Sequence, residues 1–339
     1  MIRHKVLITG GGGFIGTQVA WELDAAGHEV TIVDRNAPTH YFPGIYRVSD
    51  YLDYFSNTDN NTKFDTVIHL AAEHLVEQSV SEPAKYYANN VVKMKAMLDI
   101  MVERKIKNII FSSSGNTYGR QGGNGFLTED LYYDPENPYA STKVAGELLI
   151  KDYAKAYGLK YVTFRYFNAA GADPFDRFGY VQRPATHVVP ILCNKILKGE
   201  TFQLFGTDYP TKDGTCVRDY VHVVDLARAH NLSLELFDNK LANQTFNIGC
   251  GSGGVSLLEL VKAAGKVVGK EPIIQYCGRR AGDPAILTAD ITKAKNILNW
   301  IPQYNIKDII QHAWNWEQKY ETSKRPSRGM SKHSTGRMR

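Results

Sequence analysis

The chain has 339 residues, 43% of them hydrophobic and 22% charged, with a formal charge of +5 at pH 7. That length exceeds what one simple core fills, so two lobes are expected, and the apolar content excludes a generally disordered chain. Much of the positive charge lies in 321–339, a polar, basic stretch that reads as a frayed tail; the rest is near neutrality without a basic helix or aromatic stacking series, which excludes a nucleic-acid binder.

In chain order, Val6-Leu7-Ile8 is a short apolar run that leads into Thr9-Gly10-Gly11-Gly12-Gly13-Phe14-Ile15-Gly16 and then a helical pattern through Val19, Ala20 and Leu23. This is a strand, a glycine turn and a helix, in which backbone N–H groups can approach a pyrophosphate at the positive helix end. The run satisfies G-x-G-x-x-G through Gly11, Gly13 and Gly16, and G-x-x-G-x-x-G through Gly10, Gly13 and Gly16, so both registers stay open. A second strand, Val30-Thr31-Ile32-Val33, ends at Asp34, where a Rossmann unit places the carboxylate that holds a ribose. The combination predicts dinucleotide binding and favours NAD over NADP, since Asp34 repels a 2′-phosphate.

A loop with Asp50 and Tyr51 comes next, then a strand at Thr66-Val67-Ile68-His69-Leu70 ending at the small residues Ala71 and Ala72. A long helix is expected from near Pro83 to Arg104. Ile109-Ile110-Phe111 is a strand that delivers Ser112, Ser113 and Ser114 at its carboxyl end, the edge where open α/β sheets bind ligands. Residues 119–136 read as connection.

Asn137-Pro138-Tyr139-Ala140-Ser141-Thr142-Lys143 then opens a helix running to about Tyr157, with an N-cap at Asn137 and proline at the first helical position. Tyr139 and Lys143 lie one turn apart on one face. A free tyrosine ionises at about 10, and a nearby cation favours phenolate, so the pair is a candidate base. Spacing alone is weak, because Tyr320 and Lys324 repeat it in a polar stretch.

One more strand, Tyr161-Val162-Thr163-Phe164, continues the alternation, which argues for an α/β fold with a doubly wound parallel sheet. Beyond Asn168, prolines and glycines punctuate shorter elements, with helices expected at 187–198, 224–236 and 257–268 and a returning strand at Phe246-Asn247-Ile248. The expected division is a Rossmann lobe over 1–175, a smaller interleaved substrate lobe over 176–320, and the tail over 321–339.

Cys193, Cys216, Cys250 and Cys277 are widely spaced, which indicates neither a zinc site nor a disulfide framework, so no metal is expected. No apolar run approaches the ~20 residues of a membrane span, and no signal region precedes the first strand. A soluble protein of a reducing, cytoplasmic compartment follows.

Together, Thr9 to Gly16, Ser112 to Ser114 before Tyr118-Gly119, Tyr139 with Lys143, and Arg165-Tyr166-Phe167-Asn168 resemble the extended short-chain dehydrogenase/reductase superfamily. Later stretches, 205–211, 214–222 and 279–283, resemble the nucleotide-sugar segments of the UDP-glucose 4-epimerase family. The resemblance implies that Gly10, Gly13, Phe14, Ile15 and Gly16 cradle the NAD pyrophosphate, Asp34 holds a ribose, and Asp50 with Tyr51 meets the adenine. Leu70, Ala71, Ala72, His74 and Asn89 would line the cofactor further in, with Phe167 flanking the nicotinamide. On the substrate side it implies Asn168, His187, Val188, Gln203, Phe205, Arg218, Tyr220, Arg280 and Asp283, the arginines suiting a diphosphate by their fork geometry.

The chemistry so implied is inversion at C4 of a UDP-sugar. Tyr139 as phenolate would take the C4 hydroxyl proton while hydride passes to NAD; Ser114 would bond the same oxygen, and Lys143 would lower the Tyr139 pKa and hold the nicotinamide ribose. Related dehydratases resemble the chain but carry Asp-Glu where Gly115 and Asn116 stand, and decarboxylases carry glutamate at the second position, so neither chemistry has its proton-transfer group. Asn116 also replaces a threonine common in epimerases, and His74 a lysine found in some. Leu287 matches a position that governs whether an N-acetyl group fits, and leucine is intermediate in size, leaving UDP-N-acetylhexosamines, uronates and pentoses open. A homodimer through the helices at about 83–104 and 138–157 is expected.

Overall fold

The computed structural model describes residues 2–323 apart from 40, 41, 43, 59–61, 122–124 and 281–282; residues 324–339, most of the expected tail, lie outside the described residues. The first half runs β1 (Lys5–Thr9), α1 (Phe14–Ala25), β2 (Glu29–Asp34), β3 (Ile45–Val48), α2 (Tyr51–Asn57), β4 (Thr66–His69), α3 (Val76–Ser81), α4 (Pro83–Tyr87), a π-helical turn at Ala88–Val92, α5 (Lys93–Glu103), β5 (Asn108–Ser114), a 3₁₀ turn at Gly115–Tyr118, α6 (Pro138–Tyr157) and β6 (Lys160–Tyr166). The second half adds β7 (Asn168–Ala170), α7 (Val188–Lys198), β8 (Phe202–Phe205), β9 (Val217–Arg218), β10 (Tyr220–His222), α8 (Val223–Asp238), β11 (Gln244–Ile248), β12 (Val255–Ser256), α9 (Leu257–Val268), β13 (Ile274–Cys277), β14 (Ile286–Leu287), α10 (Thr292–Leu298) and α11 (Ile306–Ser323).

Seven strands form one sheet in the order β11-β6-β5-β4-β1-β2-β3, with every pairing parallel. Parallel strands need crossover helices on both faces, so they are buried twice over and read as unbroken apolar runs. Val6, Leu7, Ile8, Val67, Ile68, Ile109 and Ile110 accordingly have no more than trace exposure. The order reverses between β1 and β4, and the crevice outside the carboxyl ends of these strands is where such sheets bind ligands.

Helix termini follow local chemistry. The Asn137 side chain accepts a hydrogen bond from the Ala140 amide at 2.9 Å and Pro138 takes the first turn, which together start α6 where the sequence predicts. In α9 a full capping box joins Ser256 and Glu259.

Several elements differ from the sequence reading. Tyr51 is the first residue of α2 rather than part of a loop, and Asp50, ending the connection, caps that helix by accepting from the Leu52 amide at 3.0 Å. The helix expected over 83–104 is interrupted by the π-helical turn, which shifts the face that Asn89 and Asn90 present. α11 reaches Ser323 and so takes in the first residues of the expected tail, because Ile309, Ile310, Ala313 and Trp316 bury one of its faces. β3 and α3 were not expected at all.

Around the large sheet, one core gathers β1, β2, β6, α1, α8, β11 and α10, and another packs α2, α5 and α6 on the opposite face. A third core joins α7, α9 and α11 with β8. β11 and α8 therefore return to the sheet, as the sequence predicts for Phe246-Asn247-Ile248. No helix among the described residues is long and apolar enough to cross a membrane.

Burial pushes the imidazoles of His69 and His222 down to about 3 and those of His187 and His230 down to about 4. Unfolded, these groups bind a proton near pH 6.5, whereas folded they do so only near 3 to 4. Their contribution to stability is complete above about pH 6.5 and is lost as pH falls toward 4. The thermal midpoint is expected to hold steady at neutral pH and drop steeply between about pH 6 and 4; a flat midpoint across that window would contradict this account.

Candidate active site

In the glycine turn, Gly10 and Gly16 are held against neighbouring backbone that leaves no room for a side chain. Gly10 sits at φ +72°, and a Cβ there would lie 2.6 Å from the Ala71 backbone nitrogen. At Gly16 a Cβ would meet the Gly11 Cα at 2.5 Å and the Gly10 carbonyl oxygen at 2.6 Å. Gly13 is the N-cap of α1 without a side-chain cap, leaving the first-turn amides directed at the cleft. At Gly11 the nearest atoms to a Cβ are side-chain atoms of Ile32 and Ile8.

At the end of β2 one Asp34 carboxylate oxygen accepts from the Gly12 amide at 3.1 Å and the other from the Asn36 amide at 2.9 Å. Asp50 pairs with Lys93 at 2.7 Å. Tyr51 lies edge-on to His69, and its buried hydroxyl finds no partner among the described residues. Leu70, Ala71 and Ala72 follow β4, with His74 beyond them, while Asn89 occupies the π-helical turn and donates to the Lys85 carbonyl at 3.0 Å. The Phe167 ring closes on Gly115, where a Cβ would meet it at 3.2 Å.

Two residues at the end of β5 meet the Tyr139 and Lys143 turns of α6. The Ser114 hydroxyl hydrogen-bonds with the Tyr139 hydroxyl. Lys143 Nζ donates to the Ser112 carbonyl at 2.7 Å and lies 5.8 Å from the centroid of the Tyr139 ring. Burial pushes the Tyr139 phenol up to about 12, with the Ser114 hydrogen bond acting in the opposite sense. Burial also takes the Lys143 ammonium down to about 7, opposed by the charge of Glu147. A phenol lowered by Lys143 is therefore not what the protein groups alone produce. Desolvation acts on both members of the pair, and i, i+4 spacing carries no information about it.

The substrate-side residues come from short strands of the second half. Asn168 on β7 is in register with Tyr220 on β10, and its amide donates to the Asp219 carbonyl at 2.9 Å. Leu287 on β14 is in register with Arg218 on β9, and Arg218 pairs with Asp283 at 2.6 Å. The Arg280 guanidinium lies 4.2 Å from the centroid of the Phe205 ring on β8, the strand that also carries Gln203. His187 caps α7 just before Val188 and stacks on His74 at 6.0 Å, joining the substrate side to the cofactor side.

All the residues singled out from the sequence line one continuous cleft of about 2540 Å³ across the sheet's switch point. Sequence reading missed other lining residues, among them Lys93, Glu73, Tyr180 and Cys216. Lys93 carries no local signal, since its partner Asp50 is 43 positions away. Arg35, next to Asp34 at the end of β2, pairs with Glu73 at 3.2 Å.

A tyrosine and a lysine one helical turn apart, beside a glycine-lined cleft on a doubly wound sheet, suit the class of enzymes that oxidise or invert alcohol carbons. The sequence profile of the NAD dependent epimerase/dehydratase family matches residues 6–249, and the chain belongs to that family. It is similar to the UDP-glucose 4-epimerase of Lacticaseibacillus casei, with 41% identity over 93% of this chain and 97% of the relative. Among solved structures, the UDP-glucose 4-epimerase of Brucella ovis in complex with NAD is 37% identical, with a TM-score of 0.86 over 92% of this chain and 98% of that one. A Bifidobacterium longum UDP-glucose 4-epimerase in complex with NAD+ and UDP is 32% identical, again with a TM-score of 0.86, over 93% of this chain and 98% of that one.

Proposed function

We propose that the protein is a UDP-glucose/UDP-galactose 4-epimerase that inverts C4 through a transient 4-keto sugar with NAD bound in place. The observation that carries this reading is the meeting of Ser114, Tyr139 and Lys143 at the switch-point cleft, with Gly115 and Asn116 beside them offering no acid or base for elimination.

The residues present fit NAD. A cradle that a Cβ at Gly10 or Gly16 would fill, uncapped amides after Gly13, the Asp34 carboxylate and the orphaned Tyr51 hydroxyl together suit a pyrophosphate, a ribose diol and an adenine edge. Asp50, Leu70, Ala71, Ala72, His74, Asn89 and Phe167 complete the lining. When bound, the cofactor supplies a reversible hydride acceptor and a positive ring charge.

Tyr139 takes the proton from the C4 hydroxyl and returns it after the sugar has turned over. Ser114 bonds the same oxygen, fixing it against the phenol, and Lys143 adds a cation beside Tyr139 while holding the nicotinamide ribose. The Arg280 and Phe205 pair offers a flat, cationic platform for the nucleotide, and Arg218, oriented by Asp283, reaches the diphosphate. Leu287, buried beside Phe167, bounds the sugar pocket. This reading assigns the cofactor to a lobe over 1–175 and the nucleotide sugar to one over 176–320. It sets the enzyme in the cytoplasm, where Cys193, Cys216, Cys250 and Cys277 stay reduced.

The test is incubation with UDP-glucose, UDP-galactose, UDP-N-acetylglucosamine and a UDP-uronate, with C4 epimers resolved. Interconversion of the first two without net absorbance change at the reduced-nicotinamide wavelength is the expected result. Steady accumulation of NADH would point to a net oxidoreductase, and no conversion at all would defeat the reading.

The same reading includes a homodimer built on the α4 to α5 rod and α6. Tyr87, Val92, Leu148 and Tyr157 are exposed there, and an apolar face of this kind favours a second copy. Sizing is expected to return twice the chain mass, and a monomer at micromolar concentration would count against it.

A further inference from the structure

Three successive residues at the end of β5 meet three successive turns of α6. Ser114 meets Tyr139, the Ser112 carbonyl meets Lys143, and the Ser113 hydroxyl donates to a Glu147 carboxylate oxygen at 2.5 Å. The mechanism uses the first two of these contacts and has no role for the third.

Glu147 is 1% exposed, one turn beyond Lys143 on the same face. Arg165 grips it from β6 with Nε at 3.0 Å and a terminal nitrogen at 2.9 Å, and the Tyr133 hydroxyl donates to it at 3.0 Å. Arg165 is itself anchored by the Tyr118 hydroxyl at 2.7 Å, and Tyr133 accepts from Lys151 at 2.8 Å. This is a fully satisfied buried charge. An apolar packing of similar shape would commonly be as stable, so stability alone gives little reason for a carboxylate at this depth.

We propose that Glu147 is a positioning residue for the reaction: bonded to Ser113 on β5 and gripped by Arg165 on β6, it holds the ends of β5 and α6 in register and so sets Ser114 against Tyr139 and the Ser112 carbonyl against Lys143. The proposal rests on the functional reading above. Around Lys143 the other ionisable groups are Tyr139 on its own helix, His69 from β4 and His74 beyond β4. Burial lowers both imidazoles, and the Glu147 charge opposes the desolvation of Lys143. Around Glu147 stand Arg165 from β6, Tyr133 from the segment before α6, and Tyr161, also from β6.

With a neutral amide at 147 the Arg165 grip and the Ser113 bond weaken, and the ends of β5 and α6 lose their fixed register. Glu147→Gln is expected to lower kcat about tenfold or more, the scale of a small misplacement of reacting groups, while the bound NAD content and the KM for UDP-glucose stay as in the unaltered protein. Glu147→Asp, which keeps the charge on a side chain one methylene shorter, recovers part of the loss and decides the matter should the glutamine variant fail to fold. A kcat unchanged in both variants, or a loss explained by released NAD or a raised KM, overturns the proposal. Absence of epimerisation by the unaltered protein defeats the functional reading first, and is seen in the same assay.

Discussion

Tyr139→Phe is expected to lose about 10³- to 10⁴-fold in C4 interconversion, the range that a positioned acid–base group contributes. The ring stays in place, so the loss isolates the hydroxyl. Its surroundings offer little that can substitute. The Ser114 hydroxyl hydrogen-bonds with the phenol but is itself a far weaker acid and base, His69 is held neutral by burial against Thr9 at 2.7 Å, and Gly115 and Asn116 carry no titratable group. The variant should purify with its cofactor and bind UDP, because Asp34, Arg218 and Arg280 are untouched. Activity within tenfold of the unaltered protein would show that another base does the work.

Gly10→Ala should act through the fold and cofactor together. At φ +72° a side chain adds about 1–2 kcal/mol of strain, and the new Cβ would also stand 2.6 Å from the Ala71 nitrogen and 2.7 Å from its Cα. Those atoms are backbone at the end of β4 and cannot rotate away. A destabilisation of about 3 kcal/mol or more is expected, with protein that purifies free of nucleotide. Gly27→Ala separates the two causes, since Gly27 has φ +87° but open space around its would-be Cβ. It should cost only the strain and keep its nucleotide. Equal losses in both variants would remove the steric part of the argument.

Much of this architecture is legible in the amino-acid order because parallel strands and capped helices leave local marks. Val6-Leu7-Ile8, Ile109-Ile110-Phe111 and the Asn137-Pro138 start are of that kind, and the site residues near them come with their motifs. Elements defined by distant partners leave none. β3 pairs with β2 although its side chains are largely exposed, so no apolar run announces Ile45–Val48. The pairings of β7 with β10 and of β8 with β13 join three- and four-residue strands across long separations. α11 did carry a signal, in the spacing of Ile306, Ile309, Ile310 and Ala313, that the polar character of its last turns obscured. The burial of Tyr139 and Lys143 leaves no mark for a different reason: helical spacing reports adjacency, whereas the depth of both groups is a property of the assembled lobes.

The place of β11 in the large sheet has a consequence for how this molecule can be cut. Gln244–Ile248 lies beside β6 through five residue pairs, and without it β6 would present a bare row of amides and carbonyls. A fragment ending near residue 175 would expose that row and the apolar faces of β6 that α8 covers. Such a fragment should aggregate rather than fold, and the two lobes are better regarded as one cooperative body sewn along a shared seam than as parts that could be traded between relatives.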